Sequence, residues 1–153
     1  MDHLAHLIGV DPGLTGAVAV LHGDELEVFD MPVSGRAVDA AILASELRRF
    51  ARPEVVVVER QQAFPRQGVS SAFKGGVGYG IILGVLATLG WRVEIVAAGA
   101  WKKAVRCPAD KDGARARASE VFPAYAFLWL RAKDHGRAES CLLCHYARME
   151  VLR

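Results

Sequence analysis

Cysteine, long apolar runs and internal repetition are all scarce in this chain, and each scarcity removes a class of protein. There are three cysteines in 153 residues, Cys107, Cys141 and Cys144. An odd, small number suits reduced thiols in a cytosolic protein and not a disulfide framework. The longest apolar run, Tyr79 to Trp91, has 13 residues, too short to span a bilayer. The amino end, Met1 to Leu7, carries Asp2, His3 and His6 and lacks a basic-then-apolar signal pattern. No repeat, linker or low-complexity stretch suggests a solenoid or a divided chain. These absences predict one soluble, cytoplasmic domain over residues 1–153.

Hydrophobic residues make up 52% of the chain and charged residues 24%, enough for a core and too apolar for disorder. Net charge is only +2 but unevenly spread. Residues 1–59 hold four basic and ten acidic residues, whereas residues 60–117 hold ten basic and three acidic. A basic middle beside an acidic flank fits a polyanion-binding surface around a carboxylate site.

Residues 6–11 read as a strand ending in an acid, followed by the turn signal Pro12-Gly13. Residues 15–21 and 25–31 read as two further strands joined by a hairpin at His22-Gly23-Asp24, giving an antiparallel meander. Helical spacing of apolar residues predicts a helix over 37–51, closed by Pro53. Val55 to Val58, ending in Glu59, reads as a strand buried on both faces, and the helix before it makes a crossover to a parallel neighbour. Residues 60–70 read as a loop and 70–90 as a long helix. Gly76, Gly80 and Gly84 leave one face of that helix bare, suited to close approach by the sheet or by a partner subunit. A strand over 91–97 and helices over 99–106, 110–121 and about 136–151 complete the chain. The fold class is α/β, a mixed five-stranded sheet with helices on both faces.

Asp11 and Glu59 stand at the carboxyl ends of two strands predicted to be parallel neighbours. Sites in α/β sheets gather at that edge. Two acids side by side repel unless a cation sits between them, and hard divalent cations prefer such oxygen ligands. A third acid, Glu139, enters an otherwise apolar helix, which needs a reason. Asp134 and His135 lie just upstream, with Asp134 also a candidate N-cap. Cys141-Leu-Leu-Cys144-His145 matches a haem-attachment pattern, but its place inside an apolar helix favours buried thiols over haem or zinc.

Four stretches, in order along the chain, belong together. The first is Ile8-Gly-Val-Asp-Pro-Gly-Leu-Thr-Gly-Ala17. The second is Val58-Glu-Arg-Gln-Gln-Ala-Phe-Pro-Arg-Gln-Gly-Val69, with Phe73 and Gly78-Tyr79-Gly80. The third is Trp101-Lys102 with Lys111 and Val121-Phe122-Pro123. The last is Asp134-His-Gly-Arg-Ala-Glu-Ser140. In this order they resemble the motifs of the RuvC-type Holliday junction resolvases, especially the phage-type members.

The resemblance implies an RNase H-like fold, a homodimer, Mg²⁺ or Mn²⁺ with two ions per site, and paired nicks across a four-way DNA junction in a bacterial or phage-infected cell. It places the family's acids on Asp11, Glu59 and Glu139. The fourth acid of bacterial members would fall on Gly136, so Asp134 is the expected fourth carboxylate, with His135 as a metal ligand or proton donor.

Phosphate contacts are expected from Arg60, Arg66, Gln67, Lys74, Lys102, Lys103, Lys111, Arg115 and Arg117. Phe64 is the expected wedge into the junction, with Phe73 as runner-up. A junction-binding protein without cleavage, and an RNase H-like nuclease on hybrids or flaps, are the competing functions. Asp11-Pro-Gly-Leu-Thr15 also resembles the phosphate loop of actin-like ATPases, but nothing supplies their second domain.

Overall fold

The structure is a computed structural model that describes residues 5–153. Asp2 and His3 lie outside the described residues. Strands β1 (His6–Asp11), β2 (Ala17–His22) and β3 (Glu25–Asp30) form the meander. Its second hairpin closes across Gly23, at φ 60°, with His22 paired to Glu25. A small hairpin follows, β4 (Val33–Ser34) and β5 (Ala37–Val38), then helix α1 (Ala40–Leu47). The helix expected from residue 37 starts later because the Asp39 carboxylate accepts from the Ile42 amide and caps it there.

Strand β6 (Val55–Glu59) leads to helix α2 (Val69–Thr88) and strand β7 (Val93–Val96). Helices α3 (Ala98–Ala104) and α4 (Lys111–Val121) come next. Two 3₁₀ turns (Pro123–Trp129 and Ala132–Asp134) lead into helix α5 (His135–Tyr146), which ends in a π turn over Ala147–Val151.

The sheet order is β3-β2-β1-β6-β7, antiparallel through the meander and parallel from β1 to β7. Side-chain alternation divides the core in two. Ile8, Val10, Val56 and Val58 face α1 and α2 together with Ile82, Leu86, Leu43 and Leu47. Leu7, Val55 and Val57 face the other way, onto α3, α4 and α5, with Trp101, Trp129, Cys141 and Cys144. The four valines are therefore buried on both faces, as a central strand requires. Cys144 sits against the carbonyls of Leu7 and Ala19, and burial holds its thiol up at about 12.

Helix α5 crosses the sheet directly over Gly9. A Cβ there would lie 2.2 Å from the Ser140 carbonyl oxygen and 2.9 Å from the Cys144 nitrogen. Only glycine allows this approach, because both obstacles are backbone. Helix α2, in contrast, covers the sheet only with its Ile82 and Leu86 side. Gly76, Gly80 and Gly84 have nothing within 4 Å of where a Cβ would stand, so the bare stripe faces away from the sheet.

Ten residues of the 13-residue apolar run, Tyr79 to Thr88, lie in this 20-residue helix, which by length and composition alone is apolar enough to cross a bilayer. Ile82 and Leu86 pack it against the sheet, and most of its remaining surface is exposed.

Gly9→Ala is expected to lower stability by about 3 kcal/mol, because neither the strand nor the helix backbone can yield to the new methyl group. Urea unfolding of the purified protein measures it, and a loss below about 0.5 kcal/mol would contradict the close crossing.

Candidate active site

The parallel register sets Val10 opposite Val58, so Asp11 and Glu59 take the next step on adjacent strands. Both fall on the α5 side of the sheet, in phase with Leu7 and Val57. Glu139 reaches the same place from α5, one residue before the Ser140 carbonyl that rests over Gly9. The three carboxylates act on one another. Burial pushes the Asp11 carboxyl well above its usual range, and the charges of Glu139 and Glu59 push it further. Glu59 is also raised, by burial first and by Glu139, against the lowering effect of a hydrogen bond from Trp101.

Helix α3 supplies the groups that answer this negative charge. Trp101 is completely buried, and its indole Nε1 donates to Glu59 Oε2 at 2.6 Å. The next residue, Lys102, donates from Nζ to Glu139 Oε1 at 3.2 Å. Burial pulls the Lys102 ammonium down, but Glu139 and Glu59 outweigh it and leave the amine raised. Trp101 thus acts on the acid cluster, a role its place in the sequence had not suggested. The available signal was a buried indole N–H, which needs an acceptor.

One carboxylate departs from its expected place. Asp134 is not with Asp11, Glu59 and Glu139. Its carboxylate accepts from the Arg131 side chain at 2.9 and 3.0 Å and from the Arg131 amide at 3.2 Å, with Arg137 at 3.9 Å. The Arg131 hydrogen bonds hold its carboxyl below the usual range despite burial. Arg137 in turn donates to Asp30 at 2.7 and 2.8 Å, so these four charges tie the end of β3 to the start of α5.

The position that does touch Asp11 is Gly136. A Cβ there would lie 3.1 Å from Asp11 Oδ2 and 2.7 Å from the Thr15 carbonyl oxygen. His135 stands one residue earlier, partly buried, with a buried Nδ1 that has no hydrogen-bond partner.

A divalent cation fits the donor set. Asp11, Glu59 and Glu139 offer only oxygen donors in a half-buried place, and their mutual repulsion is the charge state such an ion would relieve. Among the described residues no three Asp, Glu, His or Cys side chains already meet at metal-ligand spacing. Glu59 and Glu139 are turned instead toward Trp101 and Lys102.

The expected DNA-contacting residues separate into two groups. Arg60, Phe64, Arg66, Phe73, Lys74, Lys103 and Lys111 are exposed. Lys74 and Gln67 line a groove of about 700 Å³ between the Gly13–Thr15 turn and the first turns of α2, along with Ser70 and Ser71. Arg36, not anticipated, lines the adjoining hollow with Phe73 and Lys74.

Arg115 and Arg117 are committed elsewhere. Arg115 donates to the Leu130 and Trp129 carbonyls and pairs with Asp112, and Arg117 donates to the Val105 carbonyl and pairs with Glu120. Both brace α4 against its neighbours. Lys102 is turned into the acid cluster.

Phe64 is 65% exposed at the tip of a closed turn. The Gln67 amide donates to the Phe64 carbonyl at 3.0 Å, and the Phe64 amide donates to Gln67 Oε1 at 3.0 Å. Pro65 stands second and Arg66 third, at φ 68°, the arrangement of a type II turn. Glycine is usual at that third position, so an arginine there carries backbone strain.

No family model and no curated protein matches the chain. Solved structures do. Thermus thermophilus RuvC in complex with Holliday junction substrate is 22% identical, with a TM-score of 0.63 over 95% of this chain and 96% of that one. The fowlpox virus Holliday junction resolvase is 18% identical, with a TM-score of 0.54 over 97% and 99%. The yeast mitochondrial Holliday junction resolvase Ydc2 is 12% identical, with a TM-score of 0.58 over 94% and 77%. The chain therefore has the RNase H-like fold that these resolvases share.

The raised Asp11 carboxyl has a consequence for stability. A native Asp11 keeps its proton to a higher pH than an unfolded one, so the native chain binds more protons across that interval and loses stability as pH rises through it. Asp11→Asn removes the loss. In metal-free buffer at pH 7 its melting temperature is expected to exceed wild type by roughly 3–8 °C. Calorimetry should show the advantage shrinking as pH falls toward the ordinary value of 3.8. A variant that melts below wild type at pH 7 would contradict the buried acid cluster.

Proposed function

We propose that the chain is a Holliday junction resolvase, a structure-selective, metal-dependent endodeoxyribonuclease that makes paired nicks in four-way DNA junctions. The convergence of Asp11, Glu59 and Glu139 on one face of an RNase H-like sheet carries this reading. Asp11, Glu59 and Glu139 would hold Mg²⁺ or Mn²⁺, with two ions per site. His135 is the candidate to complete the set in place of Asp134, given its buried and unpartnered Nδ1. The ions would supply a water activated for attack on the scissile phosphate and a stabilised leaving 3′ oxygen.

The remaining work belongs to the chain. Lys74, Ser70, Ser71 and Gln67 present donors along one groove beside the Asp11–Gly16 turn, suited to following a phosphate backbone. Lys103 and Lys111 extend the basic surface. Phe64, held by its closed turn, is the wedge that an open junction centre would accept and an intact duplex would resist. Phe73, 73% exposed on α2, is the second aromatic on this side.

A four-way junction has two strands to cut, which calls for two sites related by a two-fold axis. The uncovered Gly76, Gly80 and Gly84 stripe of α2, flanked by exposed Phe73 and Val77, supports a homodimer through that face.

The test is cleavage of a synthetic four-way junction beside a matched linear duplex, with Mg²⁺, Mn²⁺ or EDTA. Paired nicks confined to the junction, abolished by EDTA and by Asp11→Asn, are expected. Tight junction binding without nicking under any metal would instead leave a junction-binding protein. Phe64→Ala should reduce junction cleavage on the order of tenfold, the equivalent of one lost stacking contact, without changing metal dependence. Gly80→Leu should convert a sedimenting dimer to monomer while the circular dichroism spectrum stays unchanged. A Gly80→Leu dimer of undiminished affinity would move the interface elsewhere.

A further inference from the structure

We propose that Lys102 is the resident counter-ion of the carboxylate cluster, and that a divalent ion must displace it in order to bind. The inference rests on the metal-dependent reading above and concerns how this chain loads its ion.

Three observations carry it. Lys102 Nζ lies 3.2 Å from Glu139 Oε1, with the two side chains only 19% and 13% exposed. This is an enclosed ion pair and not a surface one. The same ammonium acts on all three acids, since its charge opposes the upward push on Asp11 and on Glu59. Its Nζ also stands over the Trp101 ring, 5.5 Å from the ring centroid, while the Trp101 indole holds Glu59. Adjacent residues of one short helix therefore restrain two of the three carboxylates. The neighbouring Lys103 is exposed and makes no comparable contact with the acids.

The exclusion follows from elementary electrostatics. A Mg²⁺ ion needs carboxylate oxygens at about 2.0–2.1 Å, including the lone pairs that the ammonium now occupies. An ammonium that stayed would face a doubly charged ion a few ångströms away, in surroundings that screen poorly. One of the two cations must leave, and the long flexible stem of a lysine can withdraw the charged end toward solvent. Lys102 therefore steadies the metal-free site and weakens its hold on metal.

The experiment titrates Mn²⁺ by calorimetry into the wild type, Lys102→Met, Lys102→Gln and Asp11→Asn. Both lysine variants are expected to bind Mn²⁺ about tenfold or more tightly than wild type while melting at a lower temperature without metal. Asp11→Asn is expected to bind little. Equal or weaker Mn²⁺ affinity in both lysine variants, with normal binding by wild type, would overturn the counter-ion role and leave the metal-dependent reading intact. Absence of Mn²⁺ binding in wild type and lysine variants alike would overturn both.

A second measurement keeps the wild-type sequence. In protein with ¹³C-methylated lysines, the Lys102 methyl resonance should shift on saturation with Mg²⁺. A resonance that does not move refutes displacement.

Discussion

The backbone contact between α5 and β1 at Gly9 is the constraint on which the site depends. A helix ordinarily stands off a sheet by the thickness of its side chains. Here the Ser140 carbonyl lies where a Cβ of residue 9 would be, so helix and strand approach to backbone distance. Gly136 repeats the device one turn earlier, against Thr15, Gly16 and the Asp11 carboxylate. With both glycines in place, a glutamate on α5 can reach two acids on the sheet. The spacing of those two is a property of the parallel ladder alone, and Glu139 adds a third oxygen pair from above.

The same closeness concentrates negative charge in a half-buried place. The fold answers from one direction, with Trp101 on Glu59 and Lys102 on Glu139. Trp101 is part of the hydrophobic core as much as of the site, since it packs with Val57, Val96 and Leu142. Geometry of the carboxylates and packing of the core are therefore not separable on this side of the sheet. On the other side, α1 and α2 cover the sheet without approaching the acids, and α2 keeps most of its surface uncovered.

Much of this could be read from residue order. Acids closing two strongly apolar strands announced Asp11 and Glu59, and an acid inside an apolar helix announced Glu139. The meander, the buried valine strand and its parallel partner followed from periodicity. What escaped was decided by side chains meeting across turns. Asp134 was a reasonable fourth acid until Arg131, three residues before it, was seen to take both of its oxygens. Arg115 and Arg117 looked like phosphate ligands, because no spacing rule reveals that carbonyls of Leu130 and Val105 lie within their reach. The hairpin at Val33–Val38 is two residues deep on each side, below the length at which alternation is recognisable. The glycine stripe on α2 left sheet and partner equally open, and the orientation of the helix removes the sheet.

Under the wedge role proposed for Phe64, its closed turn bears on how the chain would tell one nucleic acid shape from another. An aromatic on a slack loop would lose backbone freedom on every encounter, whatever it met. Phe64 is anchored by hydrogen bonds at both its amide and its carbonyl, and Pro65 and Arg66 are confined by the turn. Little ordering entropy remains to be lost beyond its own side-chain torsions. Discrimination then lies in the target, in the work of separating stacked bases. That work is small where strands already diverge and large where they do not.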